Sequence, residues 1–341
     1  MDWQPGKGEV KGWKSAIMFF RQPLIKQEQL YMADTQQYNP PLFGLNIDPS
    51  AKNLQLAYSL AQLADSTKLD FISIQDHPYN ANFFDTWTLL TFLGARTQNM
   101  RLLTNVVNLP LRPPAMLAKA AASLDILTNG RVELGLGAGG YWEGIVSYGA
   151  TQRAPGEAVS ALEEAITIMR ILWQSVSPGQ TVNFSGQFYQ LVNAHPGPAP
   201  AHPIGIWLGA IKPRMLRLTG QRADGLLISA NYIPPEEVPA VQQTIDDAAR
   251  EAGRNPLAIR RGYNLMGAIL QPGSHAIRAR RKGVIVGTAK QWVDEILRFY
   301  SELKMDSFFF WPVMGDEEVQ ARIFVEEVVP GVMAGIAGDK S

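Results

Sequence analysis

From residue 42 onward the sequence alternates short apolar runs with amphipathic stretches eight times, and no other feature constrains the fold as strongly. Strand-like runs at 42–47, 71–74, 102–107, 132–136, 204–208, 225–228, 261–269 and 307–311 each come before a segment of helical spacing. Those segments are 53–67, 86–96, 114–127, 157–173, 214–221, 235–251, 289–303 and 317–329. Strict alternation calls for parallel strands joined by helical crossovers. Eight units favour closure into a (β/α)8 TIM barrel with insertions over an open doubly wound sheet. Two stretches break the rhythm. One is a small hairpin around Phe184–Tyr189 followed by a proline-rich connector; the other is an insertion over 271–286 that carries His275, Arg278, Arg280, Arg281 and Lys282. Residues 1–41 show no period and read as an N-terminal extension; 42–330 form the barrel and 331–341 a C-terminal tail.

Composition narrows the chemistry. Lys and Arg together equal Asp and Glu, so the net charge is zero, which argues against a nucleic-acid-binding face. With no cysteine in 341 residues, thiolate nucleophiles, disulfides and cysteine metal sites are all excluded. No apolar run approaches the roughly 20 residues of a membrane span. The best N-terminal apolar piece, Ala16 to Phe20, is too short for a signal peptide, so the expectation is a cytoplasmic protein. The four histidines lack metal-ligand spacing. No Walker-type loop and no nucleophile elbow is present.

In such a barrel, function collects where strands end. The second strand ends in Gln75-Asp76-His77-Pro78, where an imidazole can exchange protons near neutrality. Taken alone, the same residues read as a loop-capping Asp and a His packed under Tyr79. The third strand ends in Thr104-Asn105-Val106-Val107-Asn108, whose asparagines can serve a turn or hydrogen-bond a planar polar ring. The fourth runs through Arg131-Val-Glu-Leu-Gly-Leu-Gly-Ala-Gly139 to Gly140 and Tyr141-Trp142-Glu143, a glycine-rich exit that lets a ligand approach the backbone. The fifth ends in Gly209-Ala210-Ile211-Lys212-Pro213-Arg214. A helix starting at Pro213 turns its first amides, with Lys212 and Arg214, into a plausible phosphate cradle. The basic run in the 271–286 insertion is a solvated face or a seat for an anionic tail. His195 and His202, in the proline-rich connector, read as structural.

Taken in order, these pieces resemble the bacterial luciferase-like superfamily of flavin- and deazaflavin-dependent oxidoreductases. The resemblance covers about 42–330. It rests on Asp76-His77-Pro78, Thr104-Asn105-Val106, the stretch from Leu124 to Arg131, and the exit from Gly135 to Gly139. Phe184 with Gly186-Gln187-Phe188-Tyr189, the stretch from Gly209 to Leu216, Ala223-Asp224-Gly225 and Gly287-Thr288 complete it. It implies catalysis by His77 and Asp76, and a non-prolyl cis peptide at Asn105-Val106. It also implies cofactor contacts at Asn46, Asn105, Val106, Gly137, Ala138, Gly139, Ala210, Ile211, Lys212 and Arg214. Two positions depart from the family pattern. Gly140 stands where many deazaflavin members carry Glu, and Ile211-Lys212 replaces the usual glycine pair.

The reading that leads is a monooxygenase using reduced FMN and dioxygen on a small organic substrate, with a separate flavin reductase and a second copy of the chain as partners. The alternative is hydride transfer with coenzyme F-420, and a further one is a non-catalytic flavin-binding protein. Gly140 favours FMN; the basic insertion favours the anionic tail of the deazaflavin. A barrel hydrolase or aldolase finds no paired carboxylates and only Lys212 as a strand-end lysine.

Overall fold

The computed structural model describes residues 39–174, 179–271 and 283–338. The first half of the barrel contains β1 (Leu42–Ile47), α1 (Leu54–Ser66), β2 (Phe71–Ile74), α2 (Thr86–Gly94), β3 (Arg101–Thr104), β4 (Val107–Asn108), α3 (Pro114–Leu127), β5 (Val132–Gly137), α4 (Trp142–Ser147) and α5 (Pro155–Leu172). The hairpin β6 (Val182–Ser185) and β7 (Gln190–Ala194) stands apart as its own two-stranded sheet. Then come β8 (Ile206–Gly209), α6 (Pro213–Arg222), β9 (Gly225–Ser229), α7 (Val238–Glu251), β10 (Arg260–Leu270), β11 (Val284–Thr288), α8 (Ala289–Ser301), β12 (Ser307–Pro312), α9 (Glu317–Ile323) and α10 (Val329–Gly338).

Eight of these strands close on one another in the order β1-β2-β3-β5-β8-β9-β10-β12, all parallel, with β12 returning to β1. This is the expected TIM barrel. Most elements lie within two residues of their predicted limits. The differences have local causes. The third strand stops at Thr104 because a cis peptide follows at Asn105-Val106, and pairing with β5 resumes as β4. The aromatic stretch after the glycines forms α4 rather than a loop. Val284–Thr288 pairs in parallel with the far half of β10, so the predicted insertion hides a strand; its residues 272–282, with the basic run, lie outside those described. The last helix continues past Val329 to Gly338 through a π-helical segment over Phe324–Val328.

Alternate residues of a strand share a face, and the barrel interior follows that period. Phe71, Leu103, Trp207, Leu227 and Phe309 form a buried cluster across five strands, separate from the larger core between strands and helices. Glycines make it possible: a Cβ on Gly44 would stand 2.9 Å from Phe309 and Phe71, and one on Gly262 2.9 Å from Leu227. Gly135 belongs to the same layer, where an added Cβ would meet the Thr104 carbonyl at 1.9 Å. The first glycine of the glycine-rich exit is therefore a packing residue.

The stretch Leu124–Arg131 ties α3 to the lower ends of the strands. Buried Asp125 accepts from Val132 N, His202 N and His202 Nδ1 at 3.1, 3.0 and 2.8 Å. The Arg131 guanidinium donates to the carbonyls of Gly94, Thr97, Met100 and Thr128. His202 is thus structural, as expected.

Candidate active site

Two residues above the apolar layer, five of the eight strand positions carry a serine or asparagine instead. Ser73 Oγ is 3.3 Å from Asn46 Oδ1 and from Asn105 Nδ2; Asn105 Nδ2 donates to Asn264 Oδ1 at 2.6 Å; Asn264 Nδ2 donates to Ser229 Oγ at 3.2 Å. Asn46 and Asn264 are buried. These residues, from five strands, form a hydrogen-bonded floor under the C-terminal mouth. The expected cis peptide at Asn105-Val106 lies in it. Val106 packs between the exits of β5 and β8: a Cβ on Gly137 would stand 2.8 Å from its Cγ2, and one on Gly209 3.2 Å. Asn105, Val106, Gly137 and Asn46 are therefore brought together. Gly139 turns the chain at φ +99°, and the space around Gly140 is open.

Asp76 and His77 are neighbours with different partners. The Asp76 carboxylate is buried and fully engaged: Oδ2 accepts from Asn108 N at 2.9 Å and Arg112 Nε at 2.7 Å, and Oδ1 from Arg112 Nη2 at 2.7 Å. Arg112 also reaches Asp85, the cap of α2, at 2.6 Å. Burial opposes the guanidinium's charge, but the two carboxylates outweigh it and hold Arg112 above its ordinary value. Asp76 anchors the loop on which His77 and Asn108 converge.

His77 is exposed at the rim, with Nδ1 2.6 Å from the Tyr79 hydroxyl. The protein crowding the rest of its ring pushes its pKa below the ordinary imidazole value, against the opposing pull of Asp76 and Asp48. Tyr79 stacks edge-on with Tyr141, centroids 5.3 Å apart. Both rings lie on α4 over Gly144, where a Cβ would meet each at 2.7 Å. At the end of β1, Asp48 accepts from Gln75 and bonds the Trp311 side chain, and burial raises its pKa. Glu317, raised first by burial and then by Asp48, lies nearby.

On the β8 side, Ala210 is buried, while Ile211 and Lys212 are exposed at the start of α6, with Lys212 in the N-cap position. Arg214 points elsewhere. Its guanidinium donates to Gly156 O at 2.6 Å and Ser160 Oγ at 2.7 Å, joining α6 to α5. Of the predicted cradle, Lys212 and the first amides of α6 remain available. Ala138 packs against the core. Phe84 also packs against the core, and Tyr232 is 65% exposed. A crevice of about 370 Å³ between α1 and α9, lined by Asn53, Ser59, Asp316 and Glu317 among others, includes none of the predicted residues.

Sequence reasoning missed Asp48, Ser73, Ser229, Asn264 and Arg112. Ser73, Ser229 and Asn264 were readable by counting two residues along each strand from the layer below, and Asp48 by counting four from Gly44. Arg112 had no such signal, because its pairing spans 36 positions and is not periodic.

A closed parallel barrel with a titratable pair above a polar floor at its C-terminal mouth is the frame of a barrel enzyme. Residues 38–307 match the family described as luciferase-like monooxygenase. The chain belongs to this luciferase-like family of oxidoreductases. A 5,10-methylenetetrahydromethanopterin reductase of Archaeoglobus fulgidus is 31% identical over 215 residues, 62% of this chain and 60% of that protein. A phthiodiolone/phenolphthiodiolone dimycocerosates ketoreductase of Mycobacterium sp. (strain JLS) is 36% identical over 183 residues, 51% of this chain and 45% of that protein. The chain thus matches about half to three-fifths of the length of these relatives. In fold it is similar to an F420-dependent secondary alcohol dehydrogenase in complex with an F420-acetone adduct, at TM-score 0.76 and 20% identity over 86% of this chain and 99% of that one. A long-chain alkane monooxygenase superposes at TM-score 0.70 and 14% identity over 88% and 92%. No helix among the described residues is long and apolar enough to cross a membrane.

Proposed function

We propose that the protein is a coenzyme F-420-dependent oxidoreductase that reduces a carbonyl carbon of a small organic substrate. The observation that carries this reading is the His77–Tyr79 hydrogen bond at the mouth, beside an Asp76 locked by Arg112. Carbonyl reduction needs a proton donor at the developing alkoxide, and this pair offers one. That the two relatives above are named as reductases supports reduction over oxygenation, and with it we put the deazaflavin reading ahead of the FMN reading that led in the sequence.

The residues fit a flat ring with a phosphate tail. Asn108 is buried, yet its Oδ1 has no hydrogen-bond partner, leaving an acceptor for a ring N–H. Val106 and the polar floor back the ring; Lys212 and the α6 amides suit the phosphate. When bound, the reduced deazaflavin supplies the hydride. The chain holds the carbonyl over the floor, keeps water from below with its apolar layer, and delivers the proton from His77 Nε2.

A second reading, FMN-dependent monooxygenation, is favoured by Gly140. Titration with each cofactor by fluorescence or calorimetry separates the two. Tight binding of the deazaflavin and anaerobic ketone-dependent loss of its reduced form are expected. Binding of FMN alone, with substrate-dependent oxygen uptake, would overturn the proposal.

A further inference from the structure

We propose that Tyr79 is the source of the proton that His77 delivers, so that Asn108, Tyr79 and His77 form a directed relay. The inference rests on the carbonyl-reduction reading above. The Tyr79–His77 contact and the acid–base order of its two partners set its direction. The Tyr79 hydroxyl is 2.6 Å from His77 Nδ1, which leaves Nε2 without a protein partner among the described residues. The Asn108 side chain lies close enough to the same hydroxyl to favour negative charge on it. A phenol is a stronger acid than the N–H of a neutral imidazole, so the hydrogen shared at 2.6 Å sits on the tyrosine oxygen and points at Nδ1. His77 is thereby held in the neutral form with its proton on Nε2, at the mouth. Asn108 itself is fixed through its backbone N–H, which donates to Asp76.

The geometry is built rather than incidental. Tyr79 is held by the Tyr141 ring and by the Gly144 backbone, which leaves no room for a side chain. The charged and titratable groups facing the pair are Asp76 and Asp48 towards His77, and Asp76 and Tyr141 towards Tyr79. Asp76 is neutralised by Arg112. Burial lowers the His77 pKa and raises that of Tyr79, so at neutral pH the imidazole is uncharged and the phenol keeps its proton. A neutral imidazole is a poor acid alone, but not when a second proton follows the first.

The step balances. Hydride from a reduced deazaflavin adds to the carbonyl carbon, and the C=O π pair moves to oxygen. That oxygen takes the Nε2 proton while the Tyr79 proton crosses to Nδ1. The phenolate, favoured by the neighbouring Asn108 side chain, recovers the Nδ1 proton as solvent reprotonates Nε2.

The test is Tyr79→Phe, read in two ways. With only four histidines in the chain, 15N-histidine spectra of the protein without cofactor report the tautomer directly, His77 being assigned by its loss in His77→Gln. The expected result is Nε2–H in the wild type and a mixture in Tyr79→Phe. In turnover, kcat should fall about 100-fold at pH about 8, with KM and deazaflavin affinity nearly unchanged, the lower end of general-acid effects. The loss should shrink as pH falls and His77 becomes charged. A wild-type Nδ1–H tautomer, or a tautomer and kcat unmoved by Tyr79→Phe, would overturn the relay. If the tautomer is as expected but the wild type reduces no carbonyl, the reaction assignment fails and the hydrogen-bond direction stands.

Discussion

At the scale of single residues, Asp76 and His77 show how far adjacency in sequence can mislead. Both sit at one strand end, yet one is sealed into an ion pair and the other faces the mouth. Removing Arg112 leaves a buried carboxylate without its counterion, a loss of about 3–5 kcal/mol for such pairs. Arg112→Leu should therefore lower the urea midpoint markedly, and Asp76→Leu in the same chain should recover part of it. His77 was legible because Asp-His-Pro follows an apolar run; Arg112 was not, because nothing near it in sequence announces its partner. His202 carries a pH signature. Glu133, 3.9 Å from Nε2, is an ion pair at that distance rather than a hydrogen bond; with Asp125 at 2.8 Å it raises the folded pKa above 6.5. Its stabilising effect is whole below the unfolded value and is lost as pH rises through the folded one. Between pH about 6 and 8.5, the melting temperature of His202→Gln should decline less than that of the wild type.

At the scale of elements, period-two and helical spacing located the barrel strands well, because each is buried on one or both faces. They failed where the backbone departs from regularity: at the cis bond after Thr104, in short α4, and in β11, whose pairing with β10 depends on a distant partner. The β6–β7 hairpin was visible from its turn, but its attachment was not. Glu164 on α5 accepts from the amides of Gln187, Phe188 and Tyr189 at 2.7, 3.0 and 3.1 Å. Glu164→Ala should release that turn, with faster limited proteolysis near Gln187 and little change in barrel unfolding. Helices α6 and α7 meet at Gly220, where a Cβ would stand 2.4 Å from the Ile245 carbonyl. Gly220→Ala should cost about 1–3 kcal/mol by overpacking, seen as a lower denaturation midpoint.

At the scale of the whole molecule, the barrel divides labour along its axis. Ion pairs of Asp125 and Glu133 and the carbonyl-bound Arg131 sit at the lower end, an apolar layer in the middle, and proton-exchanging groups above. The eightfold alternation made this architecture readable; the choice of cofactor was not, since flavin and deazaflavin demand nearly the same floor. The apolar layer has a consequence for traffic. Among the described residues, Phe71, Leu103, Trp207, Leu227 and Phe309 stopper the tube from below, which leaves the C-terminal mouth as its doorway. Whatever lies deepest must arrive first and depart last; under the proposed carbonyl reduction, steady-state kinetics should be ordered, with the ring-bearing molecule leading and the reduced product released before it.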